Sequence, residues 1–387
     1  MTGERVYLDW NATTPLRPEA RAAMTAAFEV CGNPSSVHAE GRQARRLLED
    51  ARDAVARGVG GTARAVVFTS GGTEANVMAL APGLRAASGP VERLLLSAVE
   101  HVSVLAGGQF SHQVVSSIPV SPSGVVDLER LRQMLAGGPP ALVSVMAANN
   151  ETGALQPIAD VAAIVHAAGS LLHVDAIQAF GKIPFNLKEM DVDLATVSAH
   201  KIGGPKGVAA LVLGERVTAM DPLLRGGGQE RGRRAGTENV IGITGFGAAV
   251  KAAMADLETD RARAAILRDR LESGLRQTRG VEVFSAEVAR LPNTTLFTAA
   301  GLKAETAVIG FDLEGIAVSS GSACSSGKVQ PSHVLAAMGV GSARAQGAVR
   351  LSLGWSTQAT DVDRCLQAWR KLSLTLLNSD ETQLERF

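Results

Sequence analysis

Short apolar runs alternate with segments of helical spacing through the first half of the chain. From Glu19 to Gly58 the alanine and larger apolar positions recur at helical spacing around a break at Cys31-Gly32-Asn33-Pro34, which predicts two helices joined by a loop. Ala65-Val66-Val67-Phe68-Thr69 is short, branched and apolar, and it runs into Ser70-Gly71-Gly72-Thr73-Glu74 and a helical stretch to Leu80. That reads as strand, glycine turn, helix. Further strands are predicted at Arg93–Ser97, Ala141–Val145, Leu171–Asp175 and Leu194–Ser198, mostly with helix-length segments between them. Continuous apolar strands between helices imply a mainly parallel sheet covered on both faces. Val208–Leu213 adds a strand, antiparallel because its link from Ser198 is short. One long charged helix, about Ile241 to Arg279, leads to a second region. Shorter strands are expected there at Val281–Phe284, Thr294–Phe297, Ala317–Ser319 and Val349–Leu353, with a last helix from Asp361 and a fraying tail after Leu377.

At 387 residues the chain is too long for one ordinary core, and a large and a small domain fit it. Hydrophobic residues make up 46% and charged residues 20%, as in a folded, loop-rich α/β protein. Lys+Arg and Asp+Glu are both 38, so net charge argues for neither nucleic acid nor an anionic membrane as partner. The substrate is expected to be small. Arg231, Arg233 and Arg234 stand among glycines and read either as a local anion site or as a solvated loop. The three cysteines, Cys31, Cys324 and Cys365, have neither disulfide-framework nor zinc-ligand spacing. A reducing compartment follows, and the charged N-terminal segment, with no membrane span later, makes the expected location cytoplasmic.

In an open parallel sheet, ligands collect where strands end and helices begin. Ser70-Gly71-Gly72-Thr73 lies at such a junction; it suits a phosphate, and equally a plain capped turn. Asp175 ends an apolar strand, where an unpaired negative charge is expensive, so it should face a cation. The next strand ends in Ser198-Ala199-His200-Lys201-Ile202-Gly203-Gly204, which sets a lysine at the same sheet edge. A lysine that forms a Schiff base and an aspartate that pairs a protonated ring nitrogen are what pyridoxal phosphate requires.

The segments SGGTEAN, NNETG at Asn149 to Gly153, HVDAIQ, SAHKIGGPKG, GGGQERGRRAGTEN and SSGSACSSG together resemble the class V aminotransferase superfamily, and within it the cysteine desulfurases of the nitrogen-fixation and iron–sulfur-assembly type. These motifs fall in order from Tyr7 to Gly354, so the resemblance covers nearly the whole chain. It implies an α/β, fold type I pyridoxal-phosphate transferase. Residues 16–258 would form a large domain with a mainly parallel central sheet flanked by helices, and 1–15 with 259–387 a smaller α+β domain.

The resemblance also implies roles. Lys201 carries the cofactor, Asp175 pairs the pyridine nitrogen, and Gly72, Thr73, Ser198 and His200 hold the phosphate. Thr237 reaches the phosphate of a neighbouring subunit, which makes a homodimer part of the site. His101 stacks on the ring and can move protons, Gln178 hydrogen-bonds the ring oxygen, and Asn150 holds the ring side or the substrate; each also reads as a satisfied buried polar residue. Arg350 clamps the substrate carboxylate, for which a guanidinium fork suits better than an ammonium. Cys324, in the small-residue loop Ser319–Gly327, receives sulfur from L-cysteine as a persulfide and passes it to a scaffold or carrier protein, while Cys31 and Cys365 are bystanders. The SGSAC form resembles the flexible-loop group of the family, and Gly236–Asn239 resembles its nitrogen-fixation branch. Two departures stand out: Trp10, where a smaller or polar residue is commoner, and Gly327-Lys328-Val329-Gln330. The alternatives are selenocysteine lyase or another class V aminotransferase, and, from a different class, a phosphate-binding protein without chemistry, although neither G-x-G-x-x-G after a first strand nor G-x-x-x-x-G-K-[ST] is present.

Overall fold

Strands apolar on both faces must be covered on both faces, and that requirement shapes the first two-thirds of the chain. The computed structural model describes residues 5–86, 89–321 and 332–377. A short β1 (Val6–Tyr7) precedes helices α1 (Pro18–Ala27) and α2 (Ala39–Val59), strand β2 (Val66–Thr69) and helix α3 (Gly72–Ala79). After the two-residue β3 (Arg85–Ala86) and β4 (Gly89–Pro90) come β5 (Arg93–Ser97), α4 (Val102–Leu105), β6 (Val115–Ile118), α5 (Leu128–Leu135) and β7 (Ala141–Ser144). Helix α6 (Ile158–Ala167) leads to β8 (Leu171–Asp175), β9 (Leu194–Ser198) and β10 (Ala209–Leu213). Then follow α7 (Val240–Ala255), α8 (Leu257–Leu275), β11 (Val281–Val283), β12 (Thr294–Ala299), α9 (Ala304–Leu313), β13 (Ile316–Ala317) and β14 (Ser319–Ser320). Helices α10 (His333–Ala337) and α11 (Ser342–Gln346), strand β15 (Val349–Ser352) and helix α12 (Ala359–Leu376) complete the described chain.

The large sheet has seven strands in the order β2-β10-β9-β8-β7-β5-β6. Neighbours from β6 to β9 run parallel, whereas β10 is antiparallel to both β9 and β2, as its short connection requires. All residues of β8, β9 and β10 are buried. Strand β6 escaped the sequence reading because Ser116 and Ser117 give it no apolar run, and as an edge strand it does not need one. Helices α1, α2 and α7 pack together over one face, and a Cβ on Gly247 of α7 would lie 2.6 Å from the Ala51 Cα of α2, so only glycine allows that approach.

A second, antiparallel sheet runs β11-β12-β15-β14. Its core holds Val6 and Leu8 from the N-terminus beside Phe297, Phe311, Leu351 and Trp369. The Trp369 ring meets Phe297 edge-on at 5.0 Å and stacks on Phe311 at 6.2 Å.

Two sequence expectations need correction. The helix expected from Ile241 to Arg279 is two helices bent by 70° at Asp256. Apolar α7 is buried against α1 and α2, and the charged α8 turns away to cover the second sheet. Arg17, itself buried, holds the corner through Asp256 at 3.0 Å and Asp260 at 3.2 Å. The strand expected at Ala317–Ser319 is split: β13 pairs parallel with β1, and β14 pairs antiparallel with β15. Among the described residues, no single helix is long and apolar enough to cross a membrane. The tail after Leu377 lies outside the described residues.

Candidate active site

Because β2, β5, β7, β8 and β9 all point the same way, their carboxyl ends share one edge. A cavity of about 280 Å³ opens there. Asp175 and Ser198, the last residues of β8 and β9, line it, as do His200 and Lys201 from the single turn after β9. Gly72 and Thr73 enter from the start of α3, His101 from the start of α4, and Gln178 from the turn after β8. Asn150 and Arg350 close it, the latter from β15 of the second sheet. A Cβ on Gly72 would lie 2.5 Å from Ile177 Cδ1, so a larger residue there would push the tip of the Ile177 side chain aside. Thr237 is exposed and is not among the residues lining this cavity. Cys324 lies outside the described residues.

Charge in the cavity is balanced by burial. Asp175 is 5% exposed; its Oδ1 accepts from the Ile177 N–H at 3.0 Å and its Oδ2 from Asn76 Nδ2 at 2.9 Å. Burial nevertheless raises its pKa above the usual carboxylate range, against the lowering pull of those hydrogen bonds, His101 and Lys201. A buried acid in that condition gains from a cation placed against it. Lys201 Nζ donates to the carbonyls of Asn11 at 2.6 Å and Ala12 at 2.8 Å, which fixes the amine at the cavity wall. Burial, with Lys201, Lys206 and Lys182 nearby, lowers the His200 pKa to about 4, so that imidazole is neutral at pH 7. Burial also lowers that of His101.

Two polar atoms decide what the cavity suits. Ser198 Oγ and Arg350 Nε are buried and have no hydrogen-bond partner among the described residues. Leaving such groups unsatisfied costs about 1–3 kcal/mol each, more for a charged group. Arg350 is otherwise held by Asp9 at 2.8 Å and the Asn150 carbonyl at 3.1 Å. A phosphate beside Ser198 and the α3 N-terminus, a carboxylate beside Arg350, and a protonated ring nitrogen at Asp175 would satisfy all three needs. The residues present therefore fit pyridoxal phosphate and an amino-acid substrate.

The aminotransferase class-V family matches residues 6–365, which includes every lining residue. The chain belongs to that family. A cysteine desulfurase of Cereibacter sphaeroides is 45% identical over 94% of this chain and 94% of its own length. The cysteine desulfurase IscS of Dictyoglomus turgidum is 40% identical over 95% of this chain and 94% of its own. Among solved structures, a NifS-like protein from Rickettsia africae superposes with a TM-score of 0.86 at 36% identity, covering 95% of this chain and 99% of that one. The mainly parallel large sheet with its flanking helices is thus the fold type I arrangement of class V aminotransferases.

Sequence reasoning missed several residues of this class V site. Asn11 is a hub: its carbonyl takes Lys201 and Gln178, its Oδ1 takes Lys182 at 3.0 Å, and its Nδ2 donates to Thr294 at 2.9 Å. Its sequence signal is the stretch Leu8–Thr14, in which Trp10 is the conspicuous residue. That tryptophan is explained by packing, since it meets Trp355 edge-on at 5.8 Å and covers Gly354, whose missing Cβ would lie 1.9 Å from the indole. Lys182 donates to Gln178 Oε1 at 2.5 Å, and burial drives its pKa well below the usual value. Within NNETG, the Asn149 side chain closes its own turn by accepting from the Glu151 and Thr152 N–H groups at 2.9 Å. Asn150 is the one that reaches the cavity.

The arginine run resolves into protein contacts. Arg233 donates to the Arg64 carbonyl at 2.8 Å and Arg231 to that of Ala63 at 3.4 Å. Arg234 pairs with Glu74 at 2.9 Å, and Glu74 accepts from the Ser70 N–H at 2.8 Å, so this loop is clamped to the Ser70–Thr73 turn. Burial opposes ionisation of Glu74, but Arg234 and Ser70 outweigh it and hold the carboxyl below its ordinary pKa. Beneath them, Glu230 makes a two-pronged pair with Arg52 at 2.7 and 2.8 Å while sitting at φ 47°. Cys31 is exposed and Cys365 is buried in the second core, where burial pushes its thiol up to about 12; neither is bridged.

Proposed function

We propose that the protein is a cysteine desulfurase that uses pyridoxal phosphate to move sulfur from L-cysteine to Cys324, leaving alanine. The observation that carries this reading is the meeting of Asp175, Lys201, Ser198 and Arg350 at one cavity, with a buried atom on each of the last two that has no hydrogen-bond partner among the described residues. Gly72, Thr73, Ser198 and His200 would hold the phosphate, with His200 as a neutral imidazole; Asp175 would face the ring nitrogen, Gln178 the ring oxygen, and His101 the ring face. Lys201 Nζ would hold the cofactor aldehyde, and its amine would move the substrate's α-proton. Bound pyridoxal phosphate supplies an electron sink for the substrate's α-carbon. Arg350, anchored by Asp9, orients the substrate carboxylate. The Cys324 sulfur then attacks the substrate sulfur: an S–S bond forms, the substrate C–S bond breaks, and its electron pair and a proton end on carbon. Cysteine plus a thiol thus become alanine plus a persulfide, with no external oxidant or reductant.

The names of the relatives support cysteine as substrate over the selenocysteine-lyase and aminotransferase alternatives. We further assign the sulfur to iron–sulfur cluster assembly through a scaffold or acceptor protein, the location to the cytoplasm, where unbridged Cys31 and Cys365 fit a reducing medium, and the assembly to a homodimer in which exposed Thr237 reaches the partner's phosphate site. The chain loaded with pyridoxal phosphate should convert L-cysteine, with a thiol reductant, into equal amounts of alanine and sulfide. Cofactor uptake without either product would overturn the substrate, and absence of cofactor uptake would overturn the whole reading.

A further inference from the structure

His101 caps helix α4 with its own ring: Nδ1 accepts from the backbone N–H of Ser103 at 3.2 Å. The Ser103 hydroxyl lies 2.8 Å from the same nitrogen. A backbone amide only donates, so Nδ1 carries a lone pair and the proton of the neutral ring sits on Nε2. Ser103 Oγ in turn accepts from Asn76 Nδ2 at 2.9 Å, which directs the hydroxyl hydrogen towards Nδ1. The same Asn76 nitrogen donates to Asp175 Oδ2 at 2.9 Å, and the Thr196 hydroxyl donates to Asn76 Oδ1 at 2.7 Å. Asn76 and Thr196 are wholly buried and Ser103, at the cavity wall, is 8% exposed, so the Asn76 end of this network is shielded from solvent.

We propose that Asn76 and Ser103 are positioning residues that hold His101 as the neutral Nε2–H tautomer and join it to the Asp175 carboxylate. The kinetic part of this inference rests on the pyridoxal-phosphate reading of the cavity. Charging the imidazole would set a new Nδ1–H against the Ser103 N–H, so the network resists the imidazolium. His101 then offers the cavity a proton donor at Nε2 and no basic nitrogen, and proton abstraction falls to Lys201. The charged and titratable groups facing the ring are Asp175, which favours the imidazolium, and Lys201 and His333, which oppose it; burial also opposes it. Of the neighbouring Glu100 carboxyl, Oε1 accepts from the Met146 N–H at 2.6 Å and Oε2 has no hydrogen-bond partner among the described residues, while the Glu100 carbonyl is 2.8 Å from His333 Nε2.

The test is histidine tautomer and titration by long-range ¹H–¹⁵N correlation on the full chain loaded with pyridoxal phosphate, between about pH 5 and 9. A His101→Gln variant assigns the signals. The wild-type ring should remain the Nε2–H form at neutral pH. Ser103→Ala removes one of the two donors at Nδ1, so the titration midpoint of His101 should rise by about one pH unit, and the acid limb of alanine formation should move with it. Ser103→Thr, which keeps the hydroxyl, should restore both. Asn76→Ala should shift the midpoint in the same direction, and the double variant should shift it by less than the sum. An Nδ1–H tautomer or an imidazolium at neutral pH in the wild type, or superimposable titrations for wild type and Ser103→Ala, overturns the inference. Failure to bind pyridoxal phosphate sinks the functional reading instead, and leaves the tautomer to be read on the same chain without cofactor.

Discussion

Lys201 and Arg350 do different work in the cavity, and their variants should separate. Lys201→Ala removes the amine now held by the Asn11 and Ala12 carbonyls. Its visible absorbance with pyridoxal phosphate should lose the lysine-bound form, and alanine formation should fall by about a thousandfold or more. Arg350→Lys keeps the charge but loses the fork that holds Asp9 and the Asn150 carbonyl, so KM for cysteine should rise about tenfold to a hundredfold with a smaller change in kcat. A fall in kcat alone would move Arg350 from binding to chemistry. At this scale the sequence was legible where a residue type is chemically obligatory, as for Asp175 and Lys201. It was silent on Asn76, Ser103 and Lys182, whose importance lies in which neighbour each hydrogen-bonds across the fold.

The elements were legible in proportion to their burial. Strands β5, β8 and β9 are buried almost throughout and carry continuous or near-continuous apolar stretches, so the sequence reads them to the residue, whereas edge strand β6 has no apolar signature. The turn between α7 and α8 was missed because helical spacing continues across Asp256; the change from apolar to charged composition there was the available clue. The clamp under the arginine loop is likewise a matter of tertiary pairing. Arg52→Ala leaves Glu230 a buried charge without its partner, and should cost about 3–5 kcal/mol of stability, read as a lower denaturant midpoint. Because that loop also grips the Ser70–Thr73 turn through Arg234, affinity for pyridoxal phosphate should weaken in the same variant, measurable by equilibrium dialysis.

Across the whole molecule, Arg350 from the second sheet and Asn11 from the N-terminal segment complete a cavity otherwise built on the first. Glu151 sits at that junction, buried beside Arg350 and accepting from Ser332 at 2.5 Å; burial pushes its carboxyl up to about 7, against the pull of both neighbours. Its folded pKa exceeds the ordinary 4.5, so the stability it contributes is complete below that value and is lost as pH rises through 7, up to an amount on the order of 3 kcal/mol. Glu151→Gln should flatten that part of the stability profile, measured as the wild-type minus variant difference so that the opposite contribution of buried, neutral His173 cancels. An unchanged slope would show that the carboxyl ionises freely. The central claim is sulfur transfer to Cys324, and intact-protein mass spectrometry after one equivalent of L-cysteine without reductant tests it most directly. The expected result is one added sulfur atom on Cys324, one equivalent of alanine, and no added sulfur in Cys324→Ala; alanine released by wild type with no sulfur retained on the protein, or sulfur on Cys31 or Cys365 instead, would contradict the account.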